Sequence, residues 1–293
     1  MKKIGIYAMG LKGLSCINAI IESGYKNSIA AVISSRDAGV KNDYYNEIEV
    51  LCSNSGIEFY NRNERPFIQT EFTIAVAWRW LINVQNSQSL IVLHDSLLPK
   101  YRGFAPLVSS LVNGETFIGV TALYASEEYD RGDIIMQSSI PVTYPIRVEK
   151  AIDNITSCYK ELVLSITKSI LEGEQIIARK QKEADATYSL WLDNDDYIID
   201  WKKSSDEIKR FIDSVGFPYS GALTTINGEK RRIADAEVYP DVVIENRCPG
   251  KVIFSRDSLP IIVCGKGLIK LLKMEDENGN QQLPLKNFRT RFI

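Results

Sequence analysis

The sequence predicts an α/β fold, an open and mostly parallel sheet followed by a smaller β-rich domain. Three observations predict it. Short apolar runs alternate with helix-period stretches through the first half of the chain. A long amphipathic stretch then runs to Gly173. Beyond it the pattern changes to short alternating runs broken by Asn227-Gly228, Pro249-Gly250 and Gly265/Gly267, which suit a small β-barrel or sandwich.

Taken in order, Ile4–Ala8 reads as a strand, followed by Gly10, Gly13 and a helix with Leu14, Ile17, Ile20 and Ile21 on one face. Ile29–Ser34 is a second strand, Tyr45–Ser53 a helix and Ile57–Tyr60 a third strand. Phe72–Trp78 and Leu90–Leu93 are continuous apolar runs, the kind that sheets buried on both faces require. That rhythm argues for right-handed βαβ units. Phe117–Ala125 and Ile134–Val142 are two more strands, and a helix from about Arg147 to Glu172 carries Ala151, Ile155, Tyr159, Leu162, Ile166 and Ile170 on one face. Lys180–Ala186 is polar and linker-like, giving expected domains of 1–180 and 187–293. Ser204-Ser205-Asp206-Glu207 offers a capping box for a short helix, Glu207–Ser214.

Composition removes several function classes. With 45% hydrophobic and 25% charged residues the chain can bury an ample core, and a net charge of −2 leaves no global electrostatic footprint for nucleic acid. There is no run of 18 apolar residues and no secretory h-region, so a soluble, cytoplasmic protein is expected. Five scattered cysteines without a CxxC and a single histidine argue against a metal site. Gly10-Leu11-Lys12-Gly13 follows a strand and opens a helix but lacks the full GxGxxG, so it does not carry a nicotinamide-binding reading.

The single histidine, His94, stands in Leu93-His94-Asp95-Ser96-Leu97-Leu98-Pro99-Lys100-Tyr101-Arg102-Gly103. It follows the strand Leu90–Leu93, and ligand crevices in open α/β sheets lie outside the carboxyl ends of the strands. Histidine is the side chain best suited to trade protons near neutrality. A second segment, Gly119-Val120-Thr121 leading to Glu127-Glu128-Tyr129-Asp130-Arg131-Gly132-Asp133, supplies a carboxylate that suits either loop capping or proton transfer.

These two segments resemble the folate-dependent formyltransferase family, whose members move a formyl group from N10-formyltetrahydrofolate to an amine. The family pattern is Asn-x-His, then Ser-Leu-Leu-Pro and an Arg-Gly or Lys-Gly, with an Asp-x-Gly aspartate 36 residues after the histidine. Here Asp130 follows His94 by 36 residues in Asp130-Arg131-Gly132. The resemblance extends to Thr187-Tyr188-Ser189, Ile199-Asp200-Trp201, Gly216-Phe217-Pro218-Tyr219 and Pro249-Gly250-Lys251-Val252. It implies a Rossmann-like catalytic domain and a C-terminal barrel similar to an OB-fold.

It further implies catalytic roles for His94 and Asp130, with the imidazole stabilising an oxyanion or shuttling a proton. The donor N10-formyltetrahydrofolate would meet Trp78, Arg79, Trp80 and Leu81, then Ser96, Leu97, Leu98 and Pro99, and Glu127, Glu128 and Tyr129; the acceptor would meet Tyr101, Arg102 and Gly103. One position departs from the pattern. Val92 stands where the family has Asn, and losing one oxyanion donor typically costs about 10²–10³ in rate. Asp95 and Ser96 are the adjacent polar candidates to replace it, but strand alternation points Asp95 away from the His94 side.

The acceptor follows from the branch resembled. Methionyl-tRNA formyltransferases typically carry a basic, Gly-rich insertion after the second strand; here Ser35-Arg36-Asp37-Ala38-Gly39-Val40-Lys41-Asn42-Asp43 is short and charge-balanced. Strong tRNA binding needs several phosphate contacts. Phe104-Ala105-Pro106-Leu107 and Ser126-Glu127-Glu128-Tyr129-Asp130 look closer to the sugar-nucleotide N-formyltransferases. These act on nucleotide-linked amino-deoxysugars for surface polysaccharide such as lipopolysaccharide O-antigen. The alternatives are methionyl-tRNA or another amine, a formyl-tetrahydrofolate hydrolase, or a non-catalytic folate-binding relative. Such relatives are often homodimers, and the sequence leaves the oligomeric state open.

Overall fold

A computed structural model describes residues 2–64, 66, 68–82 and 89–293, which form two compact units. The first comprises Met1–Ser110, Thr116–Val142 and Ala151–Trp191, and the second Leu111–Glu115, Thr143–Lys150 and Leu192–Ile293. No helix among the described residues is long and apolar enough to cross a membrane.

The first half of the chain lays down strands β1 (Ile4–Ala8), β2 (Ile29–Ser34), β3 (Glu58–Asn61), β4 (Phe72–Val76) and β5 (Ser89–His94). Helices α1 (Gly10–Ile20) and α2 (Tyr45–Ser55) lie between them. Next come a two-residue strand β6 (Arg102–Gly103), helix α3 (Pro106–Val112), strands β7 (Phe117–Tyr124) and β8 (Ile134–Pro141), and the long helix α4 (Val148–Glu172). The sheet runs in the order β3-β2-β1-β4-β5-β7-β8. Its first five members are parallel, and β7 joins β5, and β8 joins β7, antiparallel.

The apolar runs buried on both faces become parallel strands: Ile4, Ile6, Ile33, Ile74 and Ile91 are each at most 1% exposed. All six residues of the stripe read on α4, from Ala151 to Ile170, are buried. Several boundaries moved, among them three in the parallel strands. The third strand begins at Glu58 instead of Ile57, the fourth stops at Val76 instead of Trp78, and His94 ends β5 instead of following it. His94 pairs with Thr121 of β7 across the ladder, and that pairing extends the strand. α3 lies in a stretch the sequence reading left unassigned.

Lys180–Ala186, read as a linker, is anchored. A short strand β9 (Tyr188–Ser189) pairs with β6, Arg179 bridges Ile134, and Gln181 and Glu183 bond the buried Arg102. Polar composition signalled solvent, whereas these side chains saturate a guanidinium.

In the second unit, helix α5 (Ser205–Val215) is followed by β10 (Ala222–Ile226), β11 (Glu229–Tyr239), β12 (Val252–Arg256), β13 (Leu259–Val263) and β14 (Leu268–Glu275). They form an antiparallel sheet in the order β10-β11-β14-β13-β12. Asn227 and Gly228 turn the first hairpin with φ of 51° and 84°, the two positive values a type I′ turn demands. The capping box forms as the spacing predicts, with Ser204 as cap and Glu207 reaching back, so the helix begins at Ser205, two residues earlier than read.

Candidate active site

The carboxyl ends of β1, β4 and β5 share one edge, since Ala8 pairs with Val76 and Val76 with Leu93. His94 closes β5 there, 8% exposed. Its Nε2 lies 2.9 Å from the Tyr101 carbonyl, which can only accept, so that nitrogen carries the hydrogen. Its Nδ1 lies 3.4 Å from Asp130 Oδ1, longer than a well-formed hydrogen bond. A proton held between Nδ1 and Oδ1 closes this pair. Without it, a lone pair and a carboxylate face one another.

Asp130 is held on its other sides. Its Oδ2 accepts the Gly103 amide at 2.8 Å, and its own carbonyl accepts Gln181 Nε2 at 2.6 Å. Its φ of 56° lies in the left-handed region, tolerated best by Asp and Asn among side chains larger than glycine. The two glycines beside it are structural requirements. A Cβ on Gly132 would sit 1.7 Å from the Tyr124 carbonyl oxygen, and one on Gly103 2.5 Å from that of Ser189.

The loop between His94 and Gly103 is fixed from β7. The Thr121 hydroxyl donates to the Ser96 carbonyl at 2.6 Å and accepts from Leu98 N at 3.0 Å and Gln137 Nε2 at 2.8 Å, using its full hydrogen-bonding capacity. Ser96 Oγ donates to the Lys100 carbonyl, Leu97 packs where Gly119 lacks a side chain, and the Leu98–Pro99 peptide is cis. Leu98 is buried with Leu123 and Ile134, and Val92 packs against the three. At the position of the family's Asn, the strand is therefore apolar.

Opposite His94 lies a second polar cluster. Asp95 Oδ2 is ion-paired with Lys12 of α1, and Oδ1 accepts the Tyr159 hydroxyl of α4 at 2.6 Å. Burial alone would raise the Asp95 pKa, but the Lys12 ammonium and the Tyr159 hydroxyl hold it below the ordinary carboxylate value.

The remaining predicted residues divide by setting. Trp78 sits edge-on to Tyr7 and Trp80, with ring centroids 5.0 and 5.1 Å away. Arg79 is exposed and paired with Asp37, Trp80 lies under the Arg62 guanidinium, and Leu81 is 80% exposed. Glu127 is exposed, Glu128 pairs with Arg131 at 2.9 Å, and the exposed Tyr129 ring lies beside Phe104. Tyr101, at φ 60°, joins the His94 cluster through its carbonyl, and Gly103 through its amide.

Arg102, expected to meet the acceptor, is 1% exposed and its guanidinium is bonded to Gln181, Glu183 and Tyr188. It braces the loop from within. That bond holds the Glu183 carboxyl below its usual pKa range. Gln181, Thr121, Gln137, Lys12 and Tyr159 went unread as site residues, because each comes from a different element and only folding brings them to this edge. The polar run around Gln181 was the one available signal. Among the described residues no cluster of three His, Cys, Asp or Glu is arranged for a metal ion.

A Rossmann-like sheet with an antiparallel C-terminal unit, and a His–Asp pair at the sheet's carboxyl edge, define the class. Residues 58–166 match the family described as Formyl transferase, and residues 192–291 match Formyl transferase, C-terminal domain. The chain belongs to the formyl transferase family.

Among curated relatives, the methionyl-tRNA formyltransferase of Caldanaerobacter subterraneus subsp. tengcongensis is 31% identical over 198 residues, covering 68% of this chain and 62% of that protein. The corresponding protein of Lactococcus lactis subsp. lactis is 33% identical, covering 64% of this chain and 57% of its own length. The chain thus spans less than two thirds of these relatives' length. Solved structures share the fold. The sugar 3N-formyl transferase WlaRD, crystallised with dTDP and 5-N-formyl-THF, has a TM-score of 0.69 at 20% identity over 92% of this chain and 97% of that one. An N-formyltransferase from Helicobacter canadensis, in complex with folinic acid and dTDP-3-aminofucose, has a TM-score of 0.69 at 19% identity over 92% of this chain and 99% of its own.

Proposed function

We propose that this protein transfers a formyl group from N10-formyltetrahydrofolate to the amino group of a nucleotide-linked amino sugar. The observation that carries this reading is the His94–Asp130 pair: one carboxylate oxygen is fixed by Gly103 while the other faces Nδ1 at 3.4 Å. It is a proton-transfer unit at the carboxyl edge of the sheet.

One observation at Trp78, just after β4, supports placing the donor's heterocycle there. The Trp78 indole N–H is buried and has no hydrogen-bond partner among the described residues, and an unmet buried donor costs about 1–3 kcal/mol. An acceptor-rich flat ring satisfies it. The donor supplies a formyl carbon activated by its bond to N10. Asp130 and His94 take the proton that the acceptor amine releases as its nitrogen bonds that carbon, and return a proton to the nitrogen that leaves. The loop pinned by Thr121 keeps the imidazole where that exchange occurs.

Two features support a sugar nucleotide: the short, charge-balanced stretch Ser35–Asp43, and the fold shared with enzymes crystallised with dTDP ligands. Methionyl-tRNA is the second reading, favoured by the names of the curated relatives. Turnover of N10-formyltetrahydrofolate, followed by absorbance, separates them when dTDP-, UDP- and GDP-linked amino sugars are set beside methionyl-tRNA. Tetrahydrofolate release with one amino sugar is expected. Release with methionyl-tRNA alone replaces the sugar reading, and formate release without any acceptor replaces transfer by hydrolysis.

A further inference from the structure

Building on the reading of His94 as the proton-transfer group, we propose that Lys12, Asp95 and Tyr159 are positioning residues that fix the His94 ring from the opposite face of β5. Side chains alternate along a strand, so Leu93 and Asp95 face one way and His94 the other. Both chain neighbours of His94 are tied to a single hydroxyl. Tyr159 Oη donates to Asp95 Oδ1 at 2.6 Å and approaches the Leu93 carbonyl at 3.3 Å. Lys12 holds Asp95 Oδ2, and its ammonium lies 5.5 Å from the centre of the Tyr159 ring. A residue whose two neighbours are anchored has little freedom left in its own Cα–Cβ direction.

Lys12 is 8% exposed and Tyr159 1% exposed. Buried ion pairs are a poor route to stability, since an apolar replacement often does as well. A lysine and an aspartate drawn from α1 and the end of β5, and meeting beside the sole histidine, accord with a demand for geometry at that point. Their anchors are α1 and α4, two helices with buried apolar faces, so the clamp transmits the rigidity of the layer behind the sheet to the loop in front of it.

The experiment exploits the fact that the chain has one histidine. Long-range ¹H–¹⁵N spectra of the full chain, labelled at histidine, give one pair of imidazole nitrogen signals, and need neither donor nor acceptor. Asp95→Asn and Tyr159→Phe are expected to shift or broaden that pair. Formyl transfer by either variant is expected to fall in kcat by about tenfold or more, with the donor KM unchanged.

Lys12→Met alone leaves a buried carboxylate uncompensated. Combining it with Asp95→Asn is expected to recover thermal stability without recovering the wild-type nitrogen signals. Nitrogen signals and kcat that match the wild type in both Asp95→Asn and Tyr159→Phe overturn the proposal and leave the cluster a purely structural brace, even where melting temperatures drop. Shifted signals in a protein that transfers formyl to no acceptor sink the reaction reading instead, and leave the clamp on His94 standing.

Discussion

Two carboxylates flank the end of β5 and are treated in opposite ways. Asp95 is bonded at both oxygens: Lys12 holds one and Tyr159 the other. Asp130 is bonded at one oxygen by Gly103, and its second oxygen stands 3.4 Å from His94 Nδ1. A carboxylate bonded at both oxygens is held in its charged form and serves as structure. An incompletely bonded one beside an imidazole can exchange a proton. The difference teaches that the site is recognised less by which polar residues it holds than by which of their bonds are left for a reactant.

The sharpest break comes from Asp130→Asn. The amide still accepts from Gly103 through its oxygen, so the loop is kept, but the proton relay is lost. Transfer is expected to fall by about 10³-fold, with an unchanged circular dichroism spectrum. A rate within a few-fold of wild type would remove Asp130 from the chemistry.

Next in size is Gly132→Ala. The added methyl group collides with the Tyr124 carbonyl oxygen, displacing Asp130 along with it, and a loss of about 3 kcal/mol in stability is expected by chemical denaturation. Val92→Asn places an amide among Leu98, Leu123 and Ile134 and is expected to cost about 1–3 kcal/mol by the same measurement.

The Asp95 side sharpens the contrast through pH. Its folded pKa lies below the ordinary value of 3.8, so the folded state holds the charged form more firmly than the unfolded chain does. The stability this contributes is full above that ordinary value and is lost as pH falls through the folded pKa. Melting temperature followed from pH 5 downward should therefore drop less steeply in Asp95→Asn than in wild type. An equal slope in the two proteins would contradict the assignment.

The smallest effect lies away from both carboxylates. Ser204→Ala removes the α5 cap and is expected to cost about 1 kcal/mol, with transfer unchanged.

Much of the fold was legible because local pattern and burial coincide in it. The runs at Ile4, Ile29, Phe72 and Leu90 are apolar on both faces, and the stripe on α4 repeats at helical spacing, so each element announces its own environment. Helix α3 was missed because a seven-residue helix gives too few turns for a periodic signal. In the site, His94 and Asp130 stood out because one is the chain's single histidine and both sit in recognisable loops. Arg102 was misplaced because an arginine beside Gly reads as a surface cation, and nothing local tells of Gln181 and Glu183 some 80 positions on.

The sequence by itself determined the main strands and helices of the first unit other than α3, the turn at Asn227-Gly228, the cap at Ser204 and the two residues whose chemistry suits proton transfer. Those follow from short-range sterics, periodicity and side-chain type, all of which a linear string carries. Only the tertiary structure decided that β7 and β8 run antiparallel and that Gly132 passes within contact of Tyr124. It alone decided that Asp95 faces Lys12 while His94 faces Asp130. Each depends on groups distant in sequence reaching bonding distance, and no local pattern encodes that geometry.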